Sequence, residues 1–363
     1  MVNFLFYLLF LFFSLGMLGR ISFLDQQING YGYELIMLLI LFFLIAQKRL
    51  DPLVKAYKKN PYIFWFFLFI LSSFFIGIKN YTPAENFVSF LYQIRLFFYF
   101  IFFFYVGSQL PKKVIEFFIV ITAVISLAQY FFYADLRNLI YQGWDPHLFR
   151  MFGTYLDTYV AVSIYGLIFF YLLFQKKTLL TKILLFCYLL FIVMTFSRLG
   201  YLAFLATLFL VFLKDIKKFL VLALIGFVIL FLLPKPWGEG VHLTRIFSIN
   251  SRLLDYQKAV GIWQKSPIFG IGYNRIRYLK KDFVSHAGAS FHSSFMIILA
   301  TSGIFGLSLF LLALSKLAKT STLSAVYLIF ISLISLGDNS LLHPFVLFLL
   351  LSLIGFSLSR KQL

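Results

Sequence analysis

Residues 183–213 read "ILLFCYLLFIVMTFSRLGYLAFLATLFLVFL", 31 residues in which Arg198 is the one charged side chain. As a single helix they would run about 46 Å at ~1.5 Å per residue, too long for one crossing of a ~30 Å hydrocarbon core. Lysines flank both ends: Lys176, Lys177 and Lys182 before, Lys214, Lys217 and Lys218 after. A tight hairpin at Arg198, with both lysine-bearing ends on the same side, satisfies length and charge together. The stretch therefore reads as two membrane spans, 183–197 and 199–213.

The composition points the same way. Of 363 residues, 62% are hydrophobic, 21% aromatic and only 12% charged, with a mean hydropathy of +0.93. A soluble core cannot absorb that much apolar surface. A barrel is excluded because runs such as Ile63–Phe75 and Phe219–Leu233 lack alternating polarity. The expected fold is an all-α polytopic membrane protein, one integral domain over 1–363. Ten further spans are placed near 3–19, 34–47, 61–78, 87–107, 114–133, 159–174, 219–233, 291–313, 323–336 and 345–358, giving about twelve.

Alternate loops then carry Lys48, Arg49, Lys55, Lys58, Lys59, Lys112, Lys113, Lys176, Lys177, Lys182, Lys214, Lys217, Lys218, Lys316, Lys319, Arg360 and Lys361, against Asp51, Glu116 and Asp215. Such loops belong in the cytoplasm, and both termini go with them. The net charge of +19 is accounted for by membrane anchoring, not nucleic acid. Met1–Gly19 lacks a basic leader and a small-residue cleavage site, so it reads as a retained first helix. Cys187, the single cysteine, rules out an intrachain disulfide.

On the outer side, Ala134–Thr158 is long and Pro234–Ser290 much longer. A loop of that size is usually functional. Within 234–290, "NSRLLDYQKAVGIWQKSP" reads as an amphipathic helix over 250–265. Asn250 or Ser251 caps it, Leu253, Tyr256, Val260 and Trp263 share its apolar face, and Pro267 ends it. "GIG" at Gly270–Gly272 reads as a tight turn.

Several polar residues need a reason. Arg198 at a hairpin tip is a functional candidate or a snorkelling anchor. Arg95 within the fourth span faces the bundle interior, as a substrate contact or in a structural pairing. The loop's Arg245, Arg252, Arg275 and Arg277, with Lys258, Lys265, Lys280 and Lys281, suit a phosphate-bearing ligand, since guanidinium forks match phosphate oxygens. For the lysines, attraction to anionic membrane lipids suffices. His286 and His292 bracket "AGAS", and His292 opens a helix whose positive end favours the neutral imidazole a general base needs. No D-x-D pair, Walker A loop, H-E-x-x-H or cysteine pair is present, so neither metal nor cofactor is expected.

Together "TFSRLGYLAF", "NSRLLDYQKAVGIWQKSPIFGIGYNRI" and "FHSSFMIILATSGIFG", with the weaker "RMFGTYLDTYVA" before a span, resemble the O-antigen ligase and polymerase superfamily. Two positions depart from its pattern: Ser293 stands for the usual asparagine after the histidine, and Asp157 and Thr158 replace a Pro-Asn pair. The resemblance implies a GT-C-like bundle in the bacterial inner membrane with its active site on the periplasmic face. It implies an inverting, metal-independent glycosyltransferase that moves a glycan from an undecaprenyl-diphosphate carrier to lipid A–core. The alternatives are a polymerase joining lipid-linked repeats and a lipid-linked glycan flippase. By resemblance His292, Arg198 and Arg252 are catalytic, and Arg150, Asp157, Arg245, His286 and Arg95 contact substrate.

Overall fold

The computed structural model describes residues 2–46, 58, 60–137, 148–233, 247–280 and 290–359. Twelve helices overlap the stretches expected as spans: α1 Val2–Ser14, α2 Gly32–Ala46, α3 Pro61–Ile76, α4 Pro83–Val106, α5 Lys112–Phe132, α6 Thr158–Leu173, α7 Leu179–Met194, α8 Arg198–Val211, α9 Ile216–Leu232, α12 Ser294–Ala318, α13 Thr322–Ser335 and α14 Pro344–Ser359. Two more, α10 Phe247–Lys265 and α11 Ile276–Lys280, lie in the long loop.

Among the described residues, α4, α5 and α12 are long and apolar enough to cross a bilayer. The other nine have 13–17 residues, short of the roughly 20 a full crossing needs. Phe4, Phe42, Trp65, Phe131, Phe227 and Phe231 stand exposed on the helix surfaces, and α9 is apolar yet buries nothing. Apolar surface on that scale belongs in lipid, and the chain is a helical membrane protein.

Helices α6 and α14 form the centre. Nearly every residue of both is buried, as expected of helices apolar on all sides. They pack on each other; α6 also meets α7 and α13, and α14 meets α4.

Three local features depart from the expected spans. The α7–α8 break falls at Thr195–Ser197, with Phe196 at φ 50°, so Arg198 is the first residue of α8 rather than a hairpin tip. Ser197 caps α8 by accepting from the Gly200 N–H. Helix α1 stops at Ser14, where Thr154 Oγ1 donates to the Ser14 carbonyl at 2.7 Å and Met17 N to Thr154 O at 2.9 Å. The all-α expectation also missed a β-hairpin, β1 Arg20–Phe23 against β2 Ile28–Tyr31; its four-residue strands are too short to show a period-two pattern.

Helix α12 is broken inside its apolar length. Gly303 adopts φ 66°, ψ −170°, a region essentially reserved for glycine. The loop after α10 fills the break. Ile304 N–H donates to Pro267 O at 2.9 Å, while Ile271 N–H and Gly272 N–H donate to Ala300 O and Thr301 O at 3.1 and 2.9 Å. Ser73 Oγ from α3 donates to Phe269 O at 2.5 Å and to Thr301 O at 3.0 Å. Backbone groups freed at membrane depth need replacement partners, and the expected Gly270–Gly272 turn supplies them. A Cβ on Gly303 would lie 2.1 Å from Ile268 O, and one on Gly270 2.3 Å from Thr301 C.

Gly303→Ala should destabilise the chain by about 1–3 kcal/mol or more, because it meets both the forbidden dihedrals and the clash. Gly261→Ala in α10, where a Cβ meets nothing within 4 Å, should be neutral or stabilising by up to about 1 kcal/mol. Thermal unfolding of the two variants in detergent checks this contrast.

Candidate active site

Helix α10 carries the site on a face other than the expected one. It starts at Phe247, placing Asn250 and Ser251 inside the helix rather than at its cap. Leu253, on the expected apolar face, is 59% exposed, whereas Asp255 and Ala259 are buried. Arg252, Asp255, Ala259 and Ile262 recur at helical spacing, and α10 lies against α12. The buried stripe is set by polar partners waiting on the bundle, not by side-chain hydrophobicity.

The Asp255 carboxylate is the junction. One oxygen accepts from His292 Nδ1 at 2.5 Å and from the His292 backbone N–H at 3.2 Å. The other accepts from Lys280 Nζ at 3.4 Å. Lys280, the last residue of α11, also donates to Ser290 O at 2.7 Å. Burial pushes the Asp255 carboxyl upward, but the His292 hydrogen bonds and the Lys280 charge outweigh it and hold the group below its usual range. The carboxylate is thus ionised at neutral pH and accepts the Nδ1 proton. Nε2 is the ring nitrogen turned away from the carboxylate, on a side chain 31% exposed.

Arg252, one turn earlier, donates Nη2 to Asp338 Oδ1 at 2.8 Å. Asp338 is buried in the connection between α13 and α14, and Tyr256 O–H donates to Leu336 O in the same connection. Arg252 Nε is buried without a partner. Arg198 lies within electrostatic reach of Arg252. Gly337 sits between their segments, its would-be Cβ 2.9 Å from Leu199 and 3.6 Å from Arg252. The structure thus brings His292, Arg252 and Arg198 into one neighbourhood.

Ser293 caps α12 and donates to Ser335 O at 3.0 Å, while Ser294 donates to Asn339 Oδ1 at 2.9 Å. Both serines after the histidine therefore lock the head of α12 to the Asp338 connection.

The remaining expected residues separate. Arg150, 2% exposed, donates Nε to Thr195 O at 2.8 Å and Nη2 to Phe196 O and Thr158 Oγ1 at 3.2 and 3.1 Å. It satisfies carbonyls opened by the α7–α8 break and so positions Arg198. Asp157 caps α6 by accepting from Tyr159 N at 3.0 Å. Arg95 pairs with Glu34 of α2 at 2.6 Å and with none of the groups that bond His292. Arg245 and His286 lie outside the described residues. Asp255 and Asp338 were not among the expected site residues; the i, i+3 spacing of Arg252 and Asp255 was the signal for the first. Among the described residues no three potential metal ligands cluster.

Asp255→Asn should release the ring from one tautomer. Nitrogen NMR of histidine-labelled protein should show the Nδ1–H form at one position in the wild type and mixed tautomers there in the variant. With a folded pKa below the ordinary value of 3.8, the carboxylate contributes fully above that value, and its contribution fades only as pH falls through the depressed one. The contact should therefore persist from pH 5 to 8 and weaken below about pH 4.

No curated protein matches the chain. Residues 183–311 match the protein family described as O-antigen ligase, and the matched segment contains Arg198, Arg252, Asp255 and His292. That match covers about a third of the chain and supports its resemblance to the O-antigen ligase superfamily.

Proposed function

We propose that this chain is a membrane glycosyltransferase that moves a glycan from undecaprenyl diphosphate to the hydroxyl of lipid A–core. The observation that carries the reading is the contact of Asp255 with His292, one helical turn from Arg252, inside the family segment. The site is assigned to the periplasmic face of the inner membrane, with twelve crossings and both termini cytoplasmic, on the strength of the basic alternate loops.

Each group then has a task. Arg252 and Arg198 hold the donor diphosphate and offset the charge that gathers on it as the glycosidic C–O bond breaks. Asp338 aims the Arg252 fork. His292 Nε2 takes the proton of the acceptor hydroxyl as its oxygen bonds to the anomeric carbon from the opposite side, inverting the centre. Asp255 is a positioning residue: it fixes the tautomer and steadies the imidazolium that forms. Undecaprenyl diphosphate leaves with the electron pair of the broken bond, and the proton departs from His292 to solvent.

Purified protein in detergent, given undecaprenyl-diphosphate glycan, should transfer it to lipid A–core. Product as a ladder on the carrier, with a second lipid-linked glycan as acceptor, would instead make it a polymerase. Movement of the glycan across vesicles without transfer would make it a flippase. His292→Ala should lower the rate by roughly 10²–10⁴-fold and Arg252→Ala by roughly 10²–10³-fold. Asp255→Asn should lower kcat with little change in donor KM and shift the pH–rate profile, which a merely structural change would not do. Full activity in well-inserted His292→Ala and Arg252→Ala would refute the assignment.

A further inference from the structure

A second cluster of cations lies at the start of α11, and the proposed transfer reaction does not use it. The guanidinium carbons of Arg95 and Arg277 lie 5.7 and 4.8 Å from the centre of the Tyr92 ring. Arg95 is also 5.1 Å from the ring of Tyr31, at the end of the β-hairpin. The hairpin is tied in from both sides: Asn29 N–H donates to Tyr92 Oη at 3.2 Å, and Arg277 Nη1 to Gln27 O at 2.7 Å.

The hydrogen-bond balance around this ring does not close. Arg95 gives Nε to Glu34 at 2.6 Å and Nη1 to Asn29 O at 2.9 Å, leaving Nη2 buried without an acceptor. Arg277 gives Nη2 to Asn274 Oδ1 at 3.1 Å, and its Nε is buried without an acceptor, as is Asn274 Nδ2. Arg277 is 6% exposed, and no carboxylate among the described residues bonds it. A buried cation with no counter-charge is costly, and so is each orphaned donor. Three donors and an uncompensated positive charge call for an oxyanion.

We propose that α4, the β-hairpin and the start of α11 form a second anion site. In it Arg277, Arg95 and Asn274 receive a carboxylate or phosphate substituent carried by the glycan, and Tyr92 and Tyr31 flank its sugar. The glycan is the source because Arg277 stands one helical turn before Lys280, the residue that bonds Asp255. A group held here is therefore next to the transfer site. The buried, tyrosine-walled setting suits a sugar acid better than a surface headgroup, for which exposed lysines suffice. The choice of glycan rests on the transfer reading; the anion site itself does not.

The test is thermal unfolding of the full chain in detergent, titrated at constant ionic strength with D-glucuronate, inorganic phosphate or glucose. Glucuronate and phosphate should raise the Tm of the wild type, and glucose should not. Arg277→Gln should shift the glucuronate midpoint by roughly tenfold or more, the loss of one charge-assisted contact. Asn274→Gly, which tolerates that residue's φ of 61°, should weaken it in a chain whose fold is undisturbed. His292→Ala, which changes neither anion-binding group, should keep the wild-type glucuronate response. No anion shift in the wild type, or an undiminished shift in both site variants, would overturn the site. Loss of the glucuronate response on adding phosphatidylglycerol, but not phosphatidylcholine, would overturn the glycan source in favour of a lipid headgroup. Binding without transfer would sink only the transfer reading, and transfer without an anion shift would sink only this one.

Discussion

The Asp255 carboxylate holds three separate pieces of chain together: the head of α12 through His292, α11 through Lys280, and its own helix α10. A charge buried to this extent persists only where its partners more than replace the water it lost. The His292 hydrogen bonds and the Lys280 charge do so, as its depressed pKa reflects. This is the constraint that turns α10 away from its apolar stripe. With Asp255 facing inward, Arg252 necessarily faces inward too, three residues away on the same side of the helix.

That arrangement depends in turn on a backbone device. The loop Pro267–Gly272 is bonded into the break of α12 at Gly303, so the end of α10 and the body of α12 cannot slide past each other. Ser73 fastens both to α3. On the other side, Arg150 braces the turn before Arg198, and Ser293 and Ser294 brace the connection that carries Asp338. The groups proposed to react are thus few, and most of the singular polar residues around them hold backbone in place.

Much of this was legible in the sequence and some of it was not. Twelve apolar runs gave twelve helices, because long apolar segments have one way to satisfy their backbone in lipid. The ends were less legible. Span 3–19 ran through Ser14 because the contact that stops α1 comes from Thr154, far away in the chain. Arg198, Arg252 and His292 were singled out by the family resemblance, and they lie in one neighbourhood. Asp255 and Asp338 were not singled out, since nothing local says which cation each will meet. Arg150 is the reverse: a conspicuous residue whose described partners are backbone carbonyls and a threonine.

The most direct measurement is an experimental structure of the chain in lipid nanodiscs with undecaprenyl diphosphate bound. The arrangement described here predicts the diphosphate against Arg198 and Arg252, at roughly 2.7–2.9 Å from guanidinium nitrogens, with the Asp255–His292 contact intact and the imidazole's other nitrogen open toward the anomeric position. A diphosphate bound elsewhere, with both arginines unengaged and His292 turned away from it, would contradict it.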